Sequence, residues 1–229
     1  MTEIIKSNRK TERILGVFFL TVILAYGIGN GLTTALLNKQ DYLAHVSENR
    51  LQFTVGALLM LINSAIVGAI GVLMLPILKQ YNKNIAYGYF ISRLIESIVL
   101  IVGVIFLLLQ IPISQAYLIE KTPDTSYFQT LSILCIKGNF YAYQIAMIAL
   151  GLGSLPFCYL LYQSKLLPKI ASIWGIIGYT VFLMGALLEL FGFSVGTILS
   201  IPGGLFEIFL GLWLIIKGFN SKEINLISV

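Results

Sequence analysis

The chain has 229 residues, 58% of them hydrophobic and only 11% charged, with a mean hydropathy of +0.90. Soluble domains run roughly 25% charged and 45–50% apolar, so a water-soluble globule is excluded. The net charge of +5 is no nucleic-acid signal, because the basic residues gather between apolar runs and on one side of them.

Six apolar runs each supply or nearly complete a membrane span, which needs about 20 residues at 1.5 Å rise. Residues 1–13 read as a basic tail. Span one (14–37) contains Tyr26-Gly-Ile-Gly-Asn-Gly31, whose glycines weaken the helix but permit close packing. Residues 38–50 are polar and form a loop holding His45, a solvated residue. Span two (51–78) carries Asn63 near its middle and Pro76 near its end, and the short turn 80–84 makes spans two and three antiparallel neighbours.

Span three (85–111) is predicted to stop near Pro112. In the long connection that follows, Pro123-Asp-Thr-Ser126 reads as a turn. Beyond it Tyr127, Phe128, Leu131, Leu134 and Cys135 share one helical face, the pattern of a short interfacial helix on the outer leaflet before span four. Span four (139–163) should kink at Pro156. Span five covers 170–191, a tight turn lies at 192–196, and span six (197–217) is interrupted by Ile201-Pro-Gly-Gly204. The predicted fold is one integral membrane domain, all-α, a polytopic bundle of six transmembrane helices.

On this topology ten basic residues lie on one side (Lys6, Arg9, Lys10, Arg13, Lys79, Lys83, Lys165, Lys169, Lys217 and Lys222) and four on the other (Lys39, Arg50, Lys121 and Lys137). The positive-inside rule then places both termini in the cytoplasm. The first run is too long for a cleaved signal and is expected to remain as an anchor. Cys135 and Cys158 fall near opposite faces, so they cannot pair.

The fifteenth basic residue, Arg93, lies inside span three. An arginine in hydrocarbon costs roughly 2.5–3.5 kcal/mol on insertion scales, so it faces protein and has a partner. Helical rise puts Arg93, Glu96, Glu207 and Asn63 all near the midplane, and Glu189 and Gln144 in the outer third. Arg93 can be received by Glu96 at i+3, by Glu207 across the bundle, or by both. Gly203 and Gly211 flank Glu207 at i−4 and i+4, a stripe that lets another helix approach. Pro202, with Gly203 and Gly204, is expected to break the helix beside the pocket. One arginine and three glutamates would leave the interior at about −2, so Glu189 or Glu207 is expected to be protonated or to hold a cation. Arg93, Glu96, Glu207, Glu189 and Asn63 are the candidate residues of a pocket for a ligand, proton or cation, with interhelical hydrogen bonding the other reading of Asn63 and the reading of Gln144. Tyr87, Tyr89, Phe90, Tyr141 and Tyr143 read as interface anchors and packing.

A single histidine excludes multi-histidine zinc sites, and neither a nucleophile elbow nor a Gly-rich phosphate loop occurs. No metal, cofactor or catalytic residue is assigned, and the partner is the lipid bilayer.

Three stretches resemble a known family: Arg93-Leu-Ile-Glu96; Leu152 to Pro168 leading to Trp174-Gly-Ile-Ile-Gly178; and Pro202-Gly-Gly-Leu-Phe-Glu207 with Gly211-Leu-Trp-Leu-Ile-Ile-Lys-Gly-Phe219. The family is the bacterial membrane group catalogued as domain of unknown function 4386. The resemblance implies a bacterial inner-membrane protein without an established activity, and its pattern falls on Arg93, Glu96, Pro202 and Glu207. Three readings remain: a midplane pocket that binds or moves a small ligand, lipid headgroup, proton or cation; a structural or partner subunit whose buried charges staple helices; and an intramembrane enzyme with a glutamate base.

Overall fold

The computed structural model describes residues 9–120 and 126–220. The first part of the basic tail, most of the turn at 123–126 and the polar residues after 220 lie outside them. The described chain is helical: α1 (Arg9–Leu37), α2 (Tyr42–Glu48), α3 (Arg50–Leu78), α4 (Lys83–Leu108), α5 (Gln110–Glu120), α6 (Ser126–Ser164), α7 (Lys169–Leu190) and α8 (Gly196–Ile216). Six segments are long and apolar enough to cross a membrane: α1, α3, α4 continuing into α5, α6, α7 and α8.

The helices start and stop for local reasons. Asn82 caps α4 by accepting the Ile85 N–H at 3.0 Å. At the end of α7, Gly192 takes φ 90°, and N–H groups of Gly192 and Phe193 close on the carbonyls of Glu189 and Leu188. Such a left-handed cap suits glycine and reverses the chain into α8 in five residues.

Each span packs on the next, and α8 returns to α1, so the six form a closed ring. Small residues set its spacing. A side chain added at Gly29 would meet the Gly56 carbonyl at 2.7 Å, and one at Gly211 would meet the Gly16 carbonyl at 3.1 Å. At Gly178 it would meet the Pro202 carbonyl at 3.1 Å. In a bilayer, where lipid tails are as apolar as leucine, such backbone approach supplies the association energy through dispersion. Polar side chains add to it: the Ser97 hydroxyl donates to the Ser64 carbonyl at 2.7 Å, and Ser92 to Ala149 at 2.6 Å. Large apolar residues such as Leu51, Ile170 and Ile198 stand exposed on the outside of the ring, where lipid would cover them.

Four expectations need correction. The loop at 38–50 contains a helix, α2, whose Leu43 and Val46 are buried and which packs on α5. Pro112 does not end span three. The break falls at Leu109, and Pro112 becomes the third residue of α5, where no intrahelical N–H is required. The segment read as a separate interfacial helix is the first part of α6, continuous with span four. It docks on α5, where Gln110 and Ser132 exchange hydrogen bonds of 2.9 and 2.6 Å. Span six has no break: α8 runs unbroken through Pro202, Gly203 and Gly204. One missing N–H removes one hydrogen bond, and the contact of Gly178 with Pro202 and Gly203 holds that turn against α7. Pro156, where a kink is expected, lies inside α6.

Candidate functional site

The ring places one face of every span toward a common interior, and polar groups there are bound to meet. Arg93 stands ten residues into α4, about 15 Å along it, and Glu207 eleven residues into antiparallel α8, about 16 Å along that helix. They therefore reach the same level from opposite ends. Gly71 of α3 makes room: a side chain there would meet Arg93 Cβ at 2.9 Å. Glu207 lies between two contact points of its own helix, Gly203 against α7 and Gly211 against α1, and so points inward.

All three nitrogens of the Arg93 guanidinium have partners. Nε donates to the Tyr89 hydroxyl at 3.0 Å, Nη1 to Glu96 Oε2 at 3.0 Å, and Nη2 to Glu207 Oε1 at 3.5 Å. Its charge also lies over the rings of Tyr89 and Phe19, with centroids 5.3 and 5.7 Å from Cζ. Glu207 Oε1 accepts a further hydrogen bond from Tyr179 at 2.7 Å. Tyr89 stacks on Phe157 at 4.5 Å, which anchors its hydroxyl. Five protein groups from α4, α7 and α8 thus form one buried network.

The network borders a central cavity of about 170 Å³ with walls from all six spans, among them Tyr26, Asn63, Glu96, Met147, Phe182 and Glu207. The volume suits a handful of waters or one small ion with part of its hydration shell. The side chains of Arg93 and Glu96 are 3% exposed and that of Glu207 is 13% exposed, so Glu207 is the more accessible of the two acids that line the cavity. With both acids ionised the cluster carries one negative charge more than its arginine balances.

The structure separates the remaining sequence candidates. Asn63 lines the cavity with no hydrogen-bond partner among the described residues, so the interhelical bond expected of it is not made. Glu189 is not part of the cluster. It sits at the end of α7, accepts the Gly196 N–H at 2.7 Å at the start of α8, and lines a second cavity. Pro202, Gly203 and Gly204 line neither cavity. Of the two roles expected of the aromatic residues, Tyr89, which is buried, and Tyr143, half-buried against the core, fill the packing one, while Tyr87 and Tyr141 are 44% and 49% exposed. Tyr89 was within reach of sequence reasoning, four residues before Arg93 on the same helical face. Tyr179 was not, because its link to Glu207 spans two helices and has no local signature. Among the described residues no group of three His, Cys, Asp or Glu side chains could hold a metal ion.

A family model described as "Domain of unknown function (DUF4386)" matches residues 14–218, which take in all but the first turn of α1, the other five spans and the whole polar network. The chain belongs to this family. Comparison with curated proteins and with solved structures finds no match. This DUF4386 chain is thus a membrane protein of six apolar helices from a family of unknown function.

Proposed function

We propose that this DUF4386 protein is a multi-pass protein of the bacterial inner membrane whose midplane cavity binds, and passes, a proton or a small cation. Glu207 is the binding group. Arg93 holds Glu96 and Glu207 in register and sets their net charge. The observation that carries the reading is the convergence of all six spans on one cavity where a single arginine faces two carboxylates. A surplus negative charge in a low-dielectric interior is unfavourable, and a proton or cation at Glu207 removes it. An anionic lipid headgroup or anionic solute is disfavoured, because the Arg93 nitrogens are already engaged and the surplus has the wrong sign. The distribution of basic residues supports cytoplasmic termini, with the α7–α8 turn outward.

The engagement of all three guanidinium nitrogens also favours a second reading, in which the charges only staple α4 to α8. Infrared difference spectroscopy of the reconstituted protein between acid and alkaline pH separates the two. The proposal expects a carboxyl band that comes and goes with pH and disappears in Glu207→Gln, together with loss of proton or cation flux in proteoliposomes. A Glu207→Gln protein that is less stable but has the wild-type spectrum and flux would leave only the staple.

A further inference from the structure

The second cavity lies toward the α7–α8 turn, between α1, α6, α7 and α8, and has about 350 Å³. That is the size at which small-molecule sites begin. Its chemistry is unbalanced. Glu189 faces it with one oxygen on the Gly196 N–H, and no basic side chain pairs with this carboxylate among the described residues. Gln144 also faces it, 6% exposed and without a hydrogen-bond partner among the described residues. Its amide opens into the cavity, where water or a ligand can pair with its donors and acceptor. The rings of Tyr26, Phe140, Tyr143 and Phe182 supply aromatic wall.

These features select among ligand classes. An anion would meet Glu189 and no cation. A bare metal ion needs several oxygens converging at about 2–2.6 Å, whereas one carboxylate here serves a far larger space. A neutral solute would satisfy Gln144 but leave the Glu189 charge unbalanced. An organic ammonium ion satisfies all of them, since aromatic faces attract cations and the carboxylate pairs with one. We propose that this vestibule binds a small organic ammonium ion, its nitrogen between Glu189 and the aromatic walls and its polar substituent on Gln144. Tyr26, Tyr143, Met147 and Phe182 line both cavities, so the bound cation would lie one side-chain layer from the Glu207 network. The site stands on Glu189 and Gln144, independently of whether Glu207 takes up protons, so the two proposals fail separately.

The test uses the purified full chain in nanodiscs, titrated with choline, tetramethylammonium or ethanolamine at constant ionic strength while its unfolding midpoint is followed. At least one ammonium ion should raise the midpoint saturably. The carbon isostere of choline, with a tert-butyl group in place of trimethylammonium, should not. Glu189→Gln keeps an acceptor for the Gly196 N–H and removes the charge. It should leave the ligand-free midpoint in place and weaken ammonium binding at least tenfold. Gln144→Met should weaken choline severalfold and leave tetramethylammonium unchanged, because only choline carries a hydroxyl. The proposal is overturned by a flat response to all three ions, by an equal response to the isostere, or by a Glu189→Gln protein that binds as the wild type does.

Discussion

Glu207 and Glu189 are the same side chain, eighteen positions apart in sequence, each half-buried against a cavity, and they find their protein partners in different ways. Glu207 lies in the middle of α8, where every neighbouring backbone N–H is used by the helix, so only side chains can meet it. It receives Arg93 and Tyr179 from two other spans. Glu189 lies at a helix end, where the first N–H groups of α8 are free, and one of them receives it at 2.7 Å. A helix N-terminus also carries partial positive charge, which an acid there complements. Depth along the helix decides whether a buried acid recruits a distant side chain or nearby backbone. The mid-helix acid ties the fold together, and the helix-end acid closes one turn.

That contrast can be broken most severely at Arg93. Arg93→Met leaves two carboxylates without their counter-charge and is expected to destabilise the protein by about 3–5 kcal/mol. Unfolding in a mild detergent measures it, and a loss close to zero would mean the acids are already neutral without the arginine. Glu207→Gln should cost less, about 1–2 kcal/mol, because the amide still accepts the Tyr179 hydroxyl. A Tyr179→Phe background tests this: the cost of Glu207→Gln should change there if the pair is coupled, and stay constant if it is not.

On the Glu189 side the effects are local. Glu189→Ala removes the acceptor for the Gly196 N–H and is expected to cost about 1 kcal/mol, the usual magnitude for a lost cap. Glu189→Gln should stay within about 0.5 kcal/mol, as substitutions that spare such features do. Faster hydrogen exchange confined to the first turn of α8 in the alanine variant would place the damage there. Exchange rising evenly through α4 and α8 would make Glu189 a second ring-wide tie. The smallest effect is expected at Ser97→Ala, which loses one hydrogen bond between α3 and α4, about 0.6 kcal/mol in membranes. A cost several times larger would show that the α3–α4 contact beside Arg93 depends on that hydroxyl.

Much of the site was legible because helical rise is constant. Counting residues from each span end put Arg93 and Glu207 at one depth, and the i+3 spacing put Glu96 beside Arg93. The burial cost of an arginine then demanded an acid, and few were on offer. Counting failed where a residue's role depends on what lies across the ring. Tyr143 reads by composition as an anchor or as packing, and the choice falls to packing because α1 and α6 both line the interior at that level, where it stacks on Tyr26 at 5.2 Å. Pro202 reads as a helix breaker, yet α8 continues, because α7 packs against that turn through Gly178.

By itself the sequence determined the membrane class, the six spans and the need for a partner to Arg93. These follow from hydrophobic length and from the cost of a charge in hydrocarbon, which are properties of local stretches. Tertiary structure alone decided that α8 closes on α1, that Tyr179 completes the network, and that Glu189 belongs to a separate cavity. Those outcomes depend on which helix faces which. In a bilayer that choice is made by close packing of small residues, summed over the whole ring.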